Sequence, residues 1–391
     1  MRSISFLILA ASMAHAQWQM QDSHGHAGLR GIHYAGGGVA WASGTGGTIL
    51  RTTNSGETWQ NCAVPPGGEA LDFRAVQAFD ASTAIVMSAG TGDLSRIYKT
   101  TDGCKSWRLL WTNPDAPGDG FYDALLFITP EIGLVFGDPA HGSTRNPVEG
   151  GYFTFRVRVT HGGGETWIPI VSFGKPGENL VPLTGEGIFA ASNSSVVVRD
   201  GTLWIGTAGQ GRVLKRELYR TPEQMSHAFE SSHCAGNLDP FSRSCGINWS
   251  DWHNVPTPLA SESPTSGIFS LAFRTSEIGI AVGGDYKKPD ESGRTAAYTL
   301  DGGAHWLAAE RTPHGFRSAV AYEQGTKSWI AVGPNGTDVS FDDGRTWAAL
   351  KPQAGEPSDA DQNWNALSLP FAVGPDGRIG RRVAGNTPLA H

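Results

Sequence analysis

"SFDDGRTW" (Ser340–Trp347) and "TTNSGETW" (Thr52–Trp59) are two spellings of one turn. Three more copies stand at irregular spacing: "TTDGCKSW" (100–107), "THGGGETW" (160–167) and "TLDGGAHW" (299–306). The shared form S/T-x-D-x-G-x-T/S-W suits a strand-turn-strand corner. A short Asp side chain accepts backbone N–H bonds inside such a turn, and Gly tolerates the positive φ it demands. The closing Trp starts the next strand and lays a large apolar face over the corner. Asp102, Asp301 and Asp342 are therefore expected to hold turns together on the outer rim rather than to do chemistry.

Each copy is preceded by two further strand-like runs. "FRAVQAF" (73–79) and "TAIVMSAG" (83–90) lead into "RIYKTTDG" (96–103) and "SWRLLW" (106–111), and the same order recurs between Phe316 and Lys351. Repeated units of four short strands predict an all-β fold, a β-propeller of four-stranded antiparallel blades. Candidate first strands number seven: "RGIHYA" (30–35), "RAVQAF" (74–79), "YDALLF" (122–127), "EGIFAA" (186–191), "IFSLAF" (268–273), "RSAVAY" (317–322) and "WNALSL" (364–369). A seven-bladed ring spanning residues 17–391 as one domain follows. The last unit lacks an outer strand, so "WQMQD" (18–22) is expected to supply it, closing the ring and removing a free edge.

Composition agrees with this reading. Of 391 residues 52 are Gly, about twice the usual share of roughly 7%, only 17% are charged and 13 are Trp. Residues 1–16, "MRSISFLILAASMAHA", carry Arg2, a short apolar run and an Ala-His-Ala end, which predicts a cleaved secretory signal. The run is too short to span a bilayer. The expected destination is the periplasm or the extracellular space, with no membrane span after cleavage. A net charge of −7 argues against nucleic acid as a partner. The four cysteines show no C-x-x-C spacing, so zinc is not expected, and export makes all four disulfide candidates.

The runs "WASGTGGTILRTTNSGETW" (41–59), "IYKTTDGCKSW" (97–107) and "WIAVGPNGTDVSFDDGRTW" (329–347) resemble the photosystem II stability/assembly factor-like family of BNR/Asp-box, sialidase-like β-propellers. The resemblance covers nearly the whole mature chain. It implies an exported seven-bladed scaffold whose plant and cyanobacterial relatives bind newly made reaction-centre subunits. Two insertions depart from the pattern, "DPAHGSTRNPVEGG" (138–151) and the polar stretch of blade four between Glu217 and Trp252.

Propeller function is expected where the innermost strands begin, around the central channel. Aligning the seven first strands places Arg30, Arg74, Tyr122, Glu186, Ile268, Arg317 and Trp364 at equivalent positions, with Asp123 and Asn365 one residue later. Arg317, Trp364, Arg30 and Arg74 then form a basic and aromatic arc opposite Asp123 and Glu186. Guanidinium forks suit carboxylates, so the arc is read as the grip for an acidic peptide, a protein partner such as a membrane-complex subunit, or an acidic glycan. The same arginines paired internally with Glu186 and Asp123 are the plainer alternative. A sialidase-like glycoside hydrolase is the alternative function, because three arginines with Tyr122, Glu186 and Asp123 loosely match that arrangement. The "HGH" run (His24–His26) with His33 is weighed as a metal site and set aside as solvated surface. No cofactor or metal is expected, and the chain is read as a monomer. Rim positions predict disulfides Cys62–Cys104, between blades one and two, and Cys234–Cys245, closing a small loop.

Overall fold

The computed structural model describes residues 17–139, 155–169, 182–218 and 252–383. Residues 1–16, most of both insertions, and Cys234 and Cys245 with their expected bridge lie outside the described residues. The described residues form seven four-stranded antiparallel sheets. Blade one runs from Leu29–Gly36 to Gln60–Asn61, blade two from Phe73–Ala78 to Arg108–Thr112, and blade three from Tyr122–Phe127 to Ile168–Pro169. Blade four spans Val196–Arg199 to His253–Pro256, blade five Ser266–Phe273 to Leu307–Ala308, and blade six Ala319–Glu323 to Ala348–Leu350. Blade seven takes three strands from Ala366–Arg382 and its outer strand, Trp18–Gln21, from the other end of the chain.

That outer strand closes the ring as expected, pairing Trp18 with Arg382 and Gln21 with Ile379. The Trp18 ring lies 5.1 Å from Trp364, and its Nε1 donates to Thr337 of blade six. Seven buried clusters follow, each shared by two neighbouring blades. Trp41 and Ile49 of blade one, for instance, pack on Phe73, Val86 and Tyr98 of blade two. A blade alone leaves both apolar faces in water, so the ring as a whole is the unit that buries them.

The corner motif behaves as its residues imply. Asp102 Oδ1 accepts from the Lys105 and Ser106 N–H groups at 3.0 and 3.1 Å, Asp301 from His305 and Asp342 from Thr346. Thr100 Oγ1 accepts from the Cys104 N–H. The five closing Trp residues are all buried. Hydrogen bonds from the Ser106 hydroxyl and N–H hold the Asp102 carboxyl down at about 2. Cys62 and Cys104 form the disulfide between blades one and two, with Cα atoms 5.2 Å apart.

Blade four departs from expectation. "EGIFAA" (186–191) is not its innermost strand; Val196–Arg199 is. The displaced segment leaves the sheet after a single bridge from Gly187 to Ala208 and lies at the axis of the ring. There Ser192 Oγ accepts from the Ile32 N–H of blade one, and Asn193 Oδ1 from Leu125 of blade three. Asn193 Nδ2 donates to the Val76 carbonyl of blade two, and the Ser194 carbonyl accepts from Leu271 of blade five. Innermost strands leave edge N–H groups facing the channel, and buried donors demand partners. Residues 192–194 meet that demand in four blades at once, which is why they are not strand. Ser192 and Asn193 both hold positive φ, 54° and 65°, a conformation Asn tolerates better than most residues.

Two predictions follow from this architecture. Asn193→Gly keeps the backbone conformation and removes both side-chain bonds, so urea unfolding should show a loss of about 1–3 kcal/mol. An unchanged midpoint would mean that this segment, which plugs the ring at its axis, is passive. Cleaving the Cys62–Cys104 bridge, which joins positions 42 residues apart, should lower stability by about 4 kcal/mol on the chain-entropy estimate, read as a lower melting temperature in Cys62→Ser/Cys104→Ser protein.

Candidate functional site

The mouth of the channel is shaped by a register detail. In blades one, two, three and five the innermost strand slips by one residue against its neighbour, between Leu29 and Gly31, Phe73 and Ala75, Tyr122 and Ala124, and Ile268 and Ser270. The extra residues are Arg30, Arg74, Asp123 and Phe269. Bulges re-aim side chains, and these four line the mouth. Leu29, Ile268, Arg317 and Trp364 donate their backbone N–H groups to the blade before, so these residues are equivalent to one another. A glycine ends the second strand opposite that junction. A Cβ on Gly44, Gly137, Gly333 or Gly374 would come within 2.4 Å of the carbonyl oxygen that precedes the junction residue, so no side chain fits there.

The sequence alignment of the arc is corrected by one residue. Arg30 and Arg74 correspond to Asp123, Phe269, Ser318 and Asn365, whereas Tyr122, Arg317 and Trp364 correspond to Leu29 and Phe73. Residues in the first group face the mouth and those in the second pack between blades. Arg317 is accordingly fully buried, with its Nε and Nη2 both on Asp338 and Nη1 on Asn335 and the Phe316 carbonyl. His314 joins this network through Asp338 at 2.9 Å. Tyr122 is buried with its hydroxyl bonded to Arg158 Nε at 2.9 Å. Trp364 is almost wholly buried between Trp18 and the Arg378 guanidinium, which lies 4.9 Å from its ring, and its edge reaches the mouth. Asn365 lines the mouth while its amide donates to the Leu29 carbonyl at 2.8 Å. Glu186 lies in the mouth as well, its carboxylate gripped by Arg212 Nε and Nη2 at 2.5 and 2.6 Å. Of the arc arginines Arg317 thus pairs with Asp338, and Arg30 and Arg74 with Asp72, rather than with Glu186 and Asp123 as the plainer reading of the sequence had it; with Arg317 buried away from the other two, the three arginines of the glycosidase alternative do not converge.

Arg30 and Arg74 remain at the mouth, about 41% and 32% exposed. Both lean on Asp72, Arg74 through Nε at 2.8 Å and Arg30 at 3.7 Å. Among the described residues the terminal nitrogens of Arg74 donate to no protein group, and the Arg30 side chain makes no hydrogen bond. Two cations with unused donors therefore share one wall of a cavity of about 470 Å³. Its floor is aromatic. Phe189 stacks on Phe269 at 3.7 Å, Phe316 meets Phe269 edge-on at 4.6 Å, and Tyr286 closes against both Phe189 and Phe269. A second cavity of about 370 Å³ adjoins it through Arg74, Phe189 and Ala190, and holds Asp123, Asp138 and Glu186. The plug segment that carries Phe189 blocks the channel below, so the mouth is a bowl rather than a passage.

Sequence reasoning missed Asp72, Phe189, Phe269, Phe316 and Tyr286. The run of Gly after the second strand, as in "AVGGD" and "IAVGP", was the available signal, because it marks the junction that sets the register. In the "HGH" run His24 pairs with Asp22 and His26 with Asp376, while His33 bonds Gln77 and the Ala78 N–H of blade two. Burial lowers His33 to about 4. No group of three or more potential metal ligands occurs among the described residues.

No family model and no curated protein sequence matches the chain. Solved structures of similar fold include YCF48 bound to D1 peptide, at 14% identity and TM-score 0.59 over 95% of this chain and 99% of that one. YCF48 from Cyanidioschyzon merolae shares 18% identity and a TM-score of 0.56 over 94% and 99%. An ancestral GH74 enzyme shares 12% identity and a TM-score of 0.51 over 95% of this chain and 47% of that longer one. At these identities the likeness shows the fold alone.

The arginines divide into two kinds, and stability measurements separate them. Arg317→Ala leaves the Asp338 carboxylate buried without its main cation and should cost about 3–5 kcal/mol. Arg30→Ala and Arg74→Ala, at exposed pairs, should each change stability by less than about 1 kcal/mol. Equal losses at all three would place Arg30 and Arg74 in the scaffold.

Proposed function

We propose that this chain is a non-catalytic, peptide-binding propeller that takes an acidic, carboxylate-bearing segment of a partner protein in the bowl at the channel mouth. The observation that carries this reading is the pair of guanidiniums, Arg30 and Arg74, whose terminal nitrogens donate to no protein group among the described residues and stand beside an aromatic floor. Charge-assisted bonds from Arg to carboxylate are the stronger kind, and aromatic faces hold the backbone and apolar side chains beside the acid. That YCF48 has been solved bound to D1 peptide supports a peptide as the occupant. Export to the periplasm or the cell exterior fits the Cys62–Cys104 bridge, since disulfides persist in oxidising compartments. A blocked channel suits binding at the surface, with the ligand held at one face of the ring.

Fluorescence anisotropy with labelled hexaglutamate and hexalysine tests the reading. Hexaglutamate should bind and hexalysine should not, with affinity falling as salt is raised. Arg30→Ala and Arg74→Ala should each weaken hexaglutamate roughly tenfold or more, since a hydrogen bond to a charged group contributes about 1.5–3 kcal/mol. Absence of hexaglutamate binding, or binding that survives the double substitution unchanged, would overturn it.

A further inference from the structure

Asp123 is the bulged residue of blade three, placed where blades one and two carry Arg30 and Arg74. It is 2% exposed, and its Oδ2 has no hydrogen-bond partner among the described residues. It lines the cavity that adjoins the basic half of the mouth through Arg74. A buried carboxylate without a dedicated cation is costly, and such a group keeps its proton instead.

The charged groups around it show why no cation is dedicated to it. On the adjacent strand of its own blade stands Asp138, a second carboxyl. Across the cavity Glu186 and Arg212 neutralise one another. From blade two Arg74 approaches, but its Nε is held by Asp72. Burial first, then the neighbouring Asp138, pushes the Asp123 carboxyl well above the usual range, against a smaller opposing pull from Arg74.

We propose that Asp123 is a specificity-determining residue of the mouth, a proton-bearing carboxyl that donates a hydrogen bond to one oxygen of the ligand carboxylate while Arg74 takes the other. This rests on the peptide-binding reading above and sharpens it. A guanidinium alone accepts any anion, including phosphate and sulfate. A carboxylic acid beside it adds a donor with fixed direction, suited to a planar carboxylate, and it becomes an acceptor that repels the ligand once it ionises. Buried acids held neutral as donors are a known device where an anion must be recognised.

Hexaglutamate binding measured between pH 5.5 and 9.5 tests the assignment, because the ligand carboxylates and the arginines stay charged throughout. Wild-type affinity should fall about tenfold or more as pH rises and Asp123 ionises. Asp123→Asn, which keeps a donor but cannot ionise, should bind with a flat pH profile. Asp123→Ala should bind about tenfold more weakly at the acid end. Affinity that rises with pH would show that Asp123 is not a donor to the ligand carboxylate, and a wild-type profile as flat as that of Asp123→Asn would remove Asp123 from recognition; either result overturns the assignment while leaving the arginine reading intact. Failure of hexaglutamate to bind at any pH overturns both.

Thermal melts give a readout independent of ligand. With a folded value above the unfolded one, the native state binds the extra proton, so Asp123 lowers stability as pH rises from about 4 toward its folded value. The melting temperature of Asp123→Asn should therefore exceed that of wild type by a margin that grows with pH. A margin that stays constant would show that Asp123 carries no proton in the native state and would overturn the assignment.

Discussion

The structure depends on burial between blades. No sheet here has a core of its own: the apolar residues on its two faces are covered only by the sheets to either side, in seven clusters each shared by two blades. Such an arrangement has no stable end, because an open ring leaves two faces in water. Closure is therefore a requirement, and it is met by four residues, Trp18–Gln21, hydrogen-bonded to Ile379–Arg382 from the far end of the chain. The Trp18–Trp364 contact extends that closure into the cluster between blades six and seven.

Closure creates a second problem at the centre. The innermost strands converge with their channel-facing edges unpaired, and a ring of N–H groups in need of partners faces a narrow channel. Residues 189–194 solve it by leaving blade four and bonding to blades one, two, three and five. The innermost strand of blade four accordingly begins only at Val196, after the segment has crossed the axis. The gain reaches the surface, because the same segment delivers Phe189 to the floor of the mouth, where it stacks on Phe269. The plug thus links the stability of the ring axis to the shape of the binding bowl.

The mouth shows how one residue of register separates a structural group from a functional one. Arg317 and Arg30 both begin innermost strands and look equivalent in the chain. The one at the junction is turned between blades and needs Asp338, His314 and Asn335 to compensate its burial. The one at the bulge is turned into the bowl with its donors unspent. The chemistry is the same in both residues, and burial alone assigns the role.

The sequence by itself determined the fold: the corner motif, the order of four short strands, the count of seven units and the closing strand at Trp18 were all legible, because each rests on local periodicity and turn chemistry repeated along the chain. The rim disulfide was legible for the same reason, since the motif placed Cys62 and Cys104 on neighbouring rims. Arg30, Arg74, Asp123 and Asn365 were also legible as residues of the mouth. Only the tertiary structure decided which of the aligned residues face it, because a bulge changes side-chain direction without leaving a hydrophobic pattern of its own. It alone revealed the plug: "EGIFAA" (186–191) reads as a strand by periodicity, yet the segment leaves the sheet and the residues that follow it, Ser192–Ser194, are taken by partners in four other blades. Those partners lie up to 160 residues away, as with Ile32 and Ser192, and hydrogen-bonding demand at the ring axis exists only once the ring has closed.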